Sequence, residues 1–258
     1  MVSKNKILLV IAAILILVLA SSLSAQGPPL GQNILVKPNP GQEAQWEAAY
    51  KEHLKWHADI NDSWNWVTYQ LMSGPNSGQF FIRTGGHEWA DWDELGDKDM
   101  KDTANYFETA GKYAASHHIW WDRTHWNLSR LPEGGGPYKI YEFTSVKVRP
   151  DKVGDFIVVV AKYHAAFEKT SSPNVYATAS TETGGRVGDF MFVGLHKSYA
   201  SLEQNPADMA MMMEEVYGRQ EAASIQEDFN ACVEEMHSAI AVLREDLTYR
   251  APESTSNE

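Results

Sequence analysis

Two hydrophobic periods alternate along this chain, and their order predicts its elements. A short apolar run over 33–37 reads as a strand, and Pro38-Asn39-Pro40-Gly41 reads as a turn. Over 42–60, Trp46, Ala49, Tyr50, His53, Trp56, His57 and Ile60 recur at the spacing of one helical face. Residues 64–72 and 79–84 read as two strands around a turn over 73–78. Gly85-Gly86 breaks the chain before a short helix over 88–95. A longer helix is expected over 100–120, with a closing strand over 125–131.

The same order then recurs. Strand 139–149, helix 152–168, strands 175–181 and 189–195, a short helix over 199–203, a long helix over 207–237 and a strand over 239–244 are expected. A shift of 110 positions sets Val36-Lys37 on Val146-Lys147, Pro40 on Pro150, Trp46 on Phe156 and Trp66 on Tyr176. It also sets Gly74 on Gly184, Gly78 on Gly188 and Phe80 on Phe190. Prolines, turn glycines and large aromatics fix chain direction and core volume, so their keeping step predicts two similar folded units. Strand-helix-strand-strand-helix-strand is the ferredoxin-like order, with helices on one sheet face. The other face must be covered too. The fold class is therefore α+β, with two tandem ferredoxin-like (βαββαβ) repeats over 32–131 and 138–250, packed sheet to sheet as a barrel-like unit around a cavity.

The openings Val36-Lys37-Pro38-Asn39-Pro40-Gly41-Gln42 and Val146-Lys147-Val148-Arg149-Pro150-Asp151-Lys152, and the close Val242-Leu243-Arg244-Glu245-Asp246-Leu247-Thr248-Tyr249, resemble the dimeric α+β barrel superfamily. The NIPSNAP-like and antibiotic-biosynthesis-monooxygenase-like branches are the most similar. The resemblance implies a fold and a range of roles, from cofactor-free oxygenases and haem proteins to proteins with no known reaction. It carries over no catalytic residue.

Lys4 and Lys6 precede an apolar run of 14 residues, Ile7 to Ala20, and then small residues to Ala25. That pattern predicts a signal peptide over 1–25, too short for a membrane span. Export to the periplasm or medium of a bacterium, with no stable membrane anchor after cleavage, is the expectation. Residues 26–31 and 132–137 read as linkers and 251–258 as a polar tail. The formal charge of −12, or −14 without Lys4 and Lys6, repels phosphate backbones and argues against a nucleic-acid partner. The single cysteine, Cys232, falls in a helical pattern and reads as core.

Candidate chemistry concentrates in the first repeat. All nine tryptophans lie between Trp46 and Trp126, with six of the nine histidines. Flat aromatics with a few polar groups suit a small-molecule pocket. Trp64, Trp66 and Thr68 share one strand face and, with Arg83 and Trp121, are the expected lining for a small, flat, apolar ligand. Core packing by the same rings is the alternative. His118, His125 and Asn65 are candidates to orient a substrate or take a proton. His117 and His118 are expected at a helix end, where a cationic ring is favoured. No motif requires a cofactor; haem is one implied by the resemblance. His53 and His57, four apart, could share a metal, yet spacing shows no third ligand. Their counterparts Tyr163 and Phe167 look like core, so no metal is assigned. A non-catalytic homo-oligomeric scaffold, with the aromatics as its interface, is a further alternative.

Overall fold

The computed structural model describes residues 27–132, 136–203 and 206–252. The expected signal peptide and most of the tail lie outside the described residues, as do residues 133–135 of the second linker. No described helix is long and apolar enough to cross a membrane.

The first half runs β1 (Leu30–Pro38), α1 (Glu43–Asp59), β2 (Val67–Leu71), β3 (Phe80–His87), α2 (Trp89–Leu95), α3 (Asp97–Glu108) and β4 (Ala114–Thr124). The second runs β5 (Ile140–Val148), α4 (Val153–Lys169), β6 (Tyr176–Thr183), β7 (Phe190–His196), α5 (Pro206–Tyr217), α6 (Arg219–Cys232) and β8 (Val233–Leu243). β1 and β5 stand 110 positions apart at both ends, and so do α1 and α4. The left-handed residues closing these helices, Asn61 and Ser171, keep the same offset. β1 starts inside the segment expected to be a linker.

One expectation fails twice in the same way. The closing strand of each half starts about ten residues or less before its expected place, where the helix was expected to continue. Residues 114–124 form β4, not the end of a helix, and 125–131 hold a short 3-10 turn and an isolated bridge from Arg130 to Tyr176. In the second half the long helix breaks at Gly218, whose φ of 76° suits glycine. β8 then begins at Val233. Pairing with β1 and β5 along their whole length decides these segments, overriding the local helical pattern.

All eight strands pair antiparallel in a closed barrel ordered β1-β3-β2-β8-β5-β7-β6-β4. Each half contributes four consecutive strands, in the order β4-β1-β3-β2 and β8-β5-β7-β6. Two seams, β2–β8 and β4–β6, join the halves. Closure leaves no free sheet edge. Inside, Leu71, Phe81, Phe143 and Ala241 pack with Leu35, Tyr69, Trp120 and Tyr141. Tyr69 and Tyr141 meet edge to face at 4.7 Å and Phe81 and Phe143 at 5.1 Å. The cavity expected between the sheets is thus filled by rings, as the narrow bore of an eight-stranded barrel predicts.

The helices cover the outside of each half. In the first, Trp46 and Tyr50 of α1 pack on Val36, Phe80, Ile82 and Trp66. In the second, Phe156 packs on Val146, Phe190 and the buried Cys232.

Glycines guard both seams. Gly74 follows β2 at φ 81°, and a Cβ there would meet the Ser238 carbonyl oxygen of β8 at 2.9 Å. Gly184 follows β6 at φ 81°, and a Cβ would meet the Ile119 oxygen of β4 at 2.6 Å. Gly41 also has positive φ, with nothing within 4 Å of such a Cβ. Gly41→Ala is therefore expected to cost roughly 1–3 kcal/mol for its backbone alone. Gly184→Ala should cost clearly more, because the seam must also open. Urea denaturation of the two variants checks this, and equal losses would mean that the seam tolerates the methyl group.

Candidate functional site

The hollow in the first half lies between the outer face of its sheet and helices α1 and α3. Its volume is about 140 Å³, close to one benzene ring. Tyr50, Trp64, Trp66, Tyr106, Ile34 and Ile82 give it apolar walls. His53, His57, Asp62, Lys98, Asp102 and His117 give it one polar region. Thr103, Phe107 and Ile119 line it and are exposed, which places its mouth on that side. A larger depression of about 820 Å³ is lined by Tyr138, Lys139, Tyr141, Glu245, Asp246 and Arg250, with no histidine among its described lining residues.

Helical spacing builds the polar region. His53 and His57 lie on the buried face of α1 with Trp46, Tyr50 and Leu54. Lys98, Asp102, Asn105 and Tyr106 share one face of α3 and meet them. Past α1, Asn61 turns left-handed at φ 49° and swings Asp62 beneath the helix end. Asn adopts this conformation at low cost.

Asp62 organises this region. Its Oδ2 accepts from His57 Nδ1 at 2.7 Å and from Trp66 Nε1 at 3.2 Å. Its Oδ1 accepts from the Trp64 backbone at 3.0 Å and from Lys98. Burial alone would raise the Asp62 carboxyl; the bonds from His57, Lys98, Trp64 and Trp66 outweigh it and hold the group well below the usual carboxylate range. Tyr249, from the chain end, donates its hydroxyl to the Asp62 carbonyl at 2.7 Å.

His53 Nδ1 contacts Asn105 Oδ1 at 2.9 Å. The two imidazoles then face each other, with 3.2 Å between their Nε2 atoms. Asp102 Oδ1 lies 3.2 Å from His53 Nε2 and 3.5 Å from His57 Nε2. On the other wall, Trp46 Nε1 donates to the Tyr106 hydroxyl, which shares a hydrogen bond of 2.7 Å with His117 Nε2. Burial raises the Tyr106 hydroxyl to about 12 and lowers the His117 ring, so both are neutral near pH 7.

The structure brings some sequence candidates together and separates others. Trp64 and Trp66 line the hollow from the helix side, not from the barrel interior. Thr68 is fully buried against Tyr50, outside the lining. Arg83 points into the barrel and pairs Asp122 at 2.6 Å, beside Asn33. Trp121 packs against Trp89 and Trp92 of α2, next to the hollow but not in it. His118 is exposed and stacks on Trp120, because its strand position alternates to the barrel side. His125 bonds Ser180 at 2.8 Å and stacks on Phe190 in the second half. Asn65 accepts from the Ala251 backbone and ties down the chain end. None of these three candidates reaches the hollow. Asp62, Lys98, Asp102 and Tyr106 are the residues that sequence reasoning missed. The i, i+4 and i+8 spacing of Lys98, Asp102 and Tyr106 was the available signal.

The second half is an internal control. Tyr163 and Phe167 stand where His53 and His57 do, and Ser172 where Asp62 does. There Tyr163, Met212, Met213, Phe229 and Ile225 form a packed cluster.

No family model matches the sequence, and no curated protein sequence matches it. Solved structures do resemble it. An anthrone oxidase-like protein aligns over 91% of this chain and 98% of its own, at a TM-score of 0.56 and 13% identity. A candidate monooxygenase from Lactobacillus acidophilus NCFM aligns over 87% and 97%, at 0.52 and 8%. A mutant chlorite dismutase from Candidatus Nitrospira defluvii aligns over 88% and 97%, at 0.53 and 10%. The structural neighbours are thus monooxygenase-like and chlorite dismutase-like α+β barrel proteins, and at these identities the likeness is one of fold.

Four histidines make a pH prediction. Burial lowers the pKa of His87, His117, His125 and His164 from the ordinary 6.5. The unfolded chain therefore takes up these protons first as pH falls. Their contribution to stability is full above about pH 6.5 and is lost below it, towards the folded pKa values. The urea midpoint should hold between pH 8 and 7 and fall from about pH 6.5 downward. A flat midpoint to pH 5 would show that the rings protonate freely in the fold.

Proposed function

We propose that the protein binds a small planar molecule in the first-half hollow and acts on it as a monooxygenase-like enzyme. The observation that carries this is the hollow itself: a ring-sized space walled by aromatics, with His53, His57 and Asp102 turned towards it, where the second half has an apolar cluster around Tyr163. A single-ring phenol matches it, the ring against the apolar walls and the hydroxyl towards the acceptors. The oxidase and monooxygenase names of the structural neighbours support the reaction class. Phenol and O₂ give p-benzoquinone and water with atoms and electrons in balance, so this oxidation needs no further reductant.

Haem does not fit. A space of about 140 Å³ is below the roughly 300 Å³ at which pockets for drug-sized ligands begin, and a haem is no smaller than such ligands. The 110-residue offset of β1 and β5 and of α1 and α4, together with the matching strand order, supports duplication of a ferredoxin-like unit. The basic, then apolar, start supports export.

Calorimetric titration with phenol and with tricyclic anthrone tests the binding. Phenol is expected to saturate one site and anthrone none. The double variant His53→Tyr, His57→Phe copies the second half and should weaken phenol binding at least tenfold while the near-ultraviolet circular dichroism of the fold persists. Absence of saturable phenol binding to the wild type would sink the reading. Under ¹⁸O₂ the quinone should carry one labelled oxygen; binding without labelled product would leave a binding protein and no oxygenase.

A further inference from the structure

We propose that His53, His57 and Asp102 bind one divalent transition-metal ion. The proposal deepens the reading above, since the same hollow would hold metal and substrate side by side.

Proton accounting supplies the argument. Both Asp62 oxygens receive donors, from Trp66, Lys98 and the Trp64 backbone, so the carboxylate acts as acceptor and His57 carries its proton on Nδ1. His53 likewise gives its Nδ1 proton to the Asn105 carbonyl oxygen. In the neutral rings both Nε2 atoms are then bare lone pairs, and they face each other across 3.2 Å. Asp102 Oδ1, a third acceptor, completes the triangle at 3.2 and 3.5 Å. Among the described residues no lysine, arginine or hydroxyl donor is directed at Asp102. The side chains of His53 and His57 are 6% and 1% exposed, so bulk water does not screen this meeting of acceptors. A buried convergence of three acceptors is costly unless a cation stands among them.

The distances suit a metal. Bonds of about 2.1 Å place neighbouring ligand atoms roughly 3.0–3.4 Å apart in octahedral or tetrahedral sites. The surroundings suit one too. Each histidine has its second nitrogen fixed by an oxygen, one of them a carboxylate, which orients the ring and sets its tautomer. Asp102 is 20% exposed and lies on the side of the mouth, which gives an ion a way in. Two imidazoles and a carboxylate suit zinc and ferrous iron better than magnesium or calcium. When bound, such an ion would supply Lewis acidity or oxygen chemistry at the polar end of the hollow.

The test uses the chain freed of metal by chelation, with Co(II) as visible probe and Zn(II) as calorimetric one. One Co(II) per chain is expected, with visible bands that Zn(II) abolishes. Asp102→Asn, nearly isosteric and partly exposed, should keep its near-ultraviolet spectrum and lose roughly tenfold or more in affinity. The double variant His53→Tyr, His57→Phe should show no stoichiometric binding. His118→Ala, on the barrel side, should bind as the wild type. A folded wild type that takes up no Co(II) or Zn(II) would overturn the proposal and leave a shared proton as the cation of the cluster. Equal affinity in wild type, Asp102→Asn and the double variant would overturn it as well, marking surface binding. Phenol binding in the presence of chelator, with no Co(II) uptake, would end the metal proposal and spare the hollow as a ligand site. Co(II) uptake without any phenol binding would support the metal and end the phenol reading.

Discussion

Closure of the barrel governs everything else in this molecule. Eight strands meet through the β2–β8 and β4–β6 seams, and every sheet edge finds a partner. The interior of an eight-stranded barrel is narrow enough for side chains to fill. Tyr69, Phe81, Trp120, Tyr141 and Phe143 take that room. Space for a ligand must then come from the outer layers, where helices rest on sheet. Gly74 and Gly184 let the hairpins approach the opposite strands closely enough for the seams to form. Arg244 reinforces one seam, reaching Glu47 of α1 at 2.6 Å and Gln70 of β2 at 2.9 Å.

The two outer layers solve the same packing problem differently. Among α4, α5 and α6, Tyr163, Met213 and Ile225 pack together, a plain hydrophobic solution. Beneath α1 the carboxyl or imidazole groups of His53, His57, Asp62, Asp102 and His117 and a lysine occupy the corresponding region around an open space. Buried ionisable groups stabilise poorly compared with apolar packing, and an unfilled space forfeits dispersion contacts. The first half therefore gives up stability that the second half retains. The Asp62 hub limits the loss by satisfying His57, Trp66, Lys98 and a backbone amide at once. A fold can replace such an arrangement by apolar side chains, as its other half demonstrates, so its presence points to use.

Much of the architecture was legible in the sequence, and the limits have physical causes. The 110-residue step located β1, α1, β5 and α4 well, because prolines and helix-face aromatics are local signals. β4 and β8 were misread because their residues satisfy a helical period as well as a strand period, and only pairing with β1 and β5 decides between them. Trp64 and Trp66 line one hollow together, although Trp64 lies in a bend and Trp66 in an isolated bridge ahead of β2. Whether they look to the barrel or the helices depends on closure, which no local pattern encodes. His53 and His57 were visible as an i, i+4 pair, and their apolar counterparts argued for core. Asp102 was hidden, since its approach to them is a contact between two helices separated in sequence by a hairpin and a short helix.

The same contrast bears on how function is read from a fold of this kind. Likeness at 8–13% identity carries the barrel and stops there. What distinguishes this chain is internal. The two halves share their strand order, the offset of α1 and α4 and the left-handed turn after each, while the second adds α6 and packs apolar side chains where the first has ionisable ones. Where the backbone repeats, fold requirements alone would be met by the same kind of core twice. They are met that way once. His53, His57 and Asp62 stand where Tyr163, Phe167 and Ser172 do, and together with the absence of a counterpart to α6 among the described residues they leave a lined space with three converging acceptors, which is where the chemistry of this protein is to be sought.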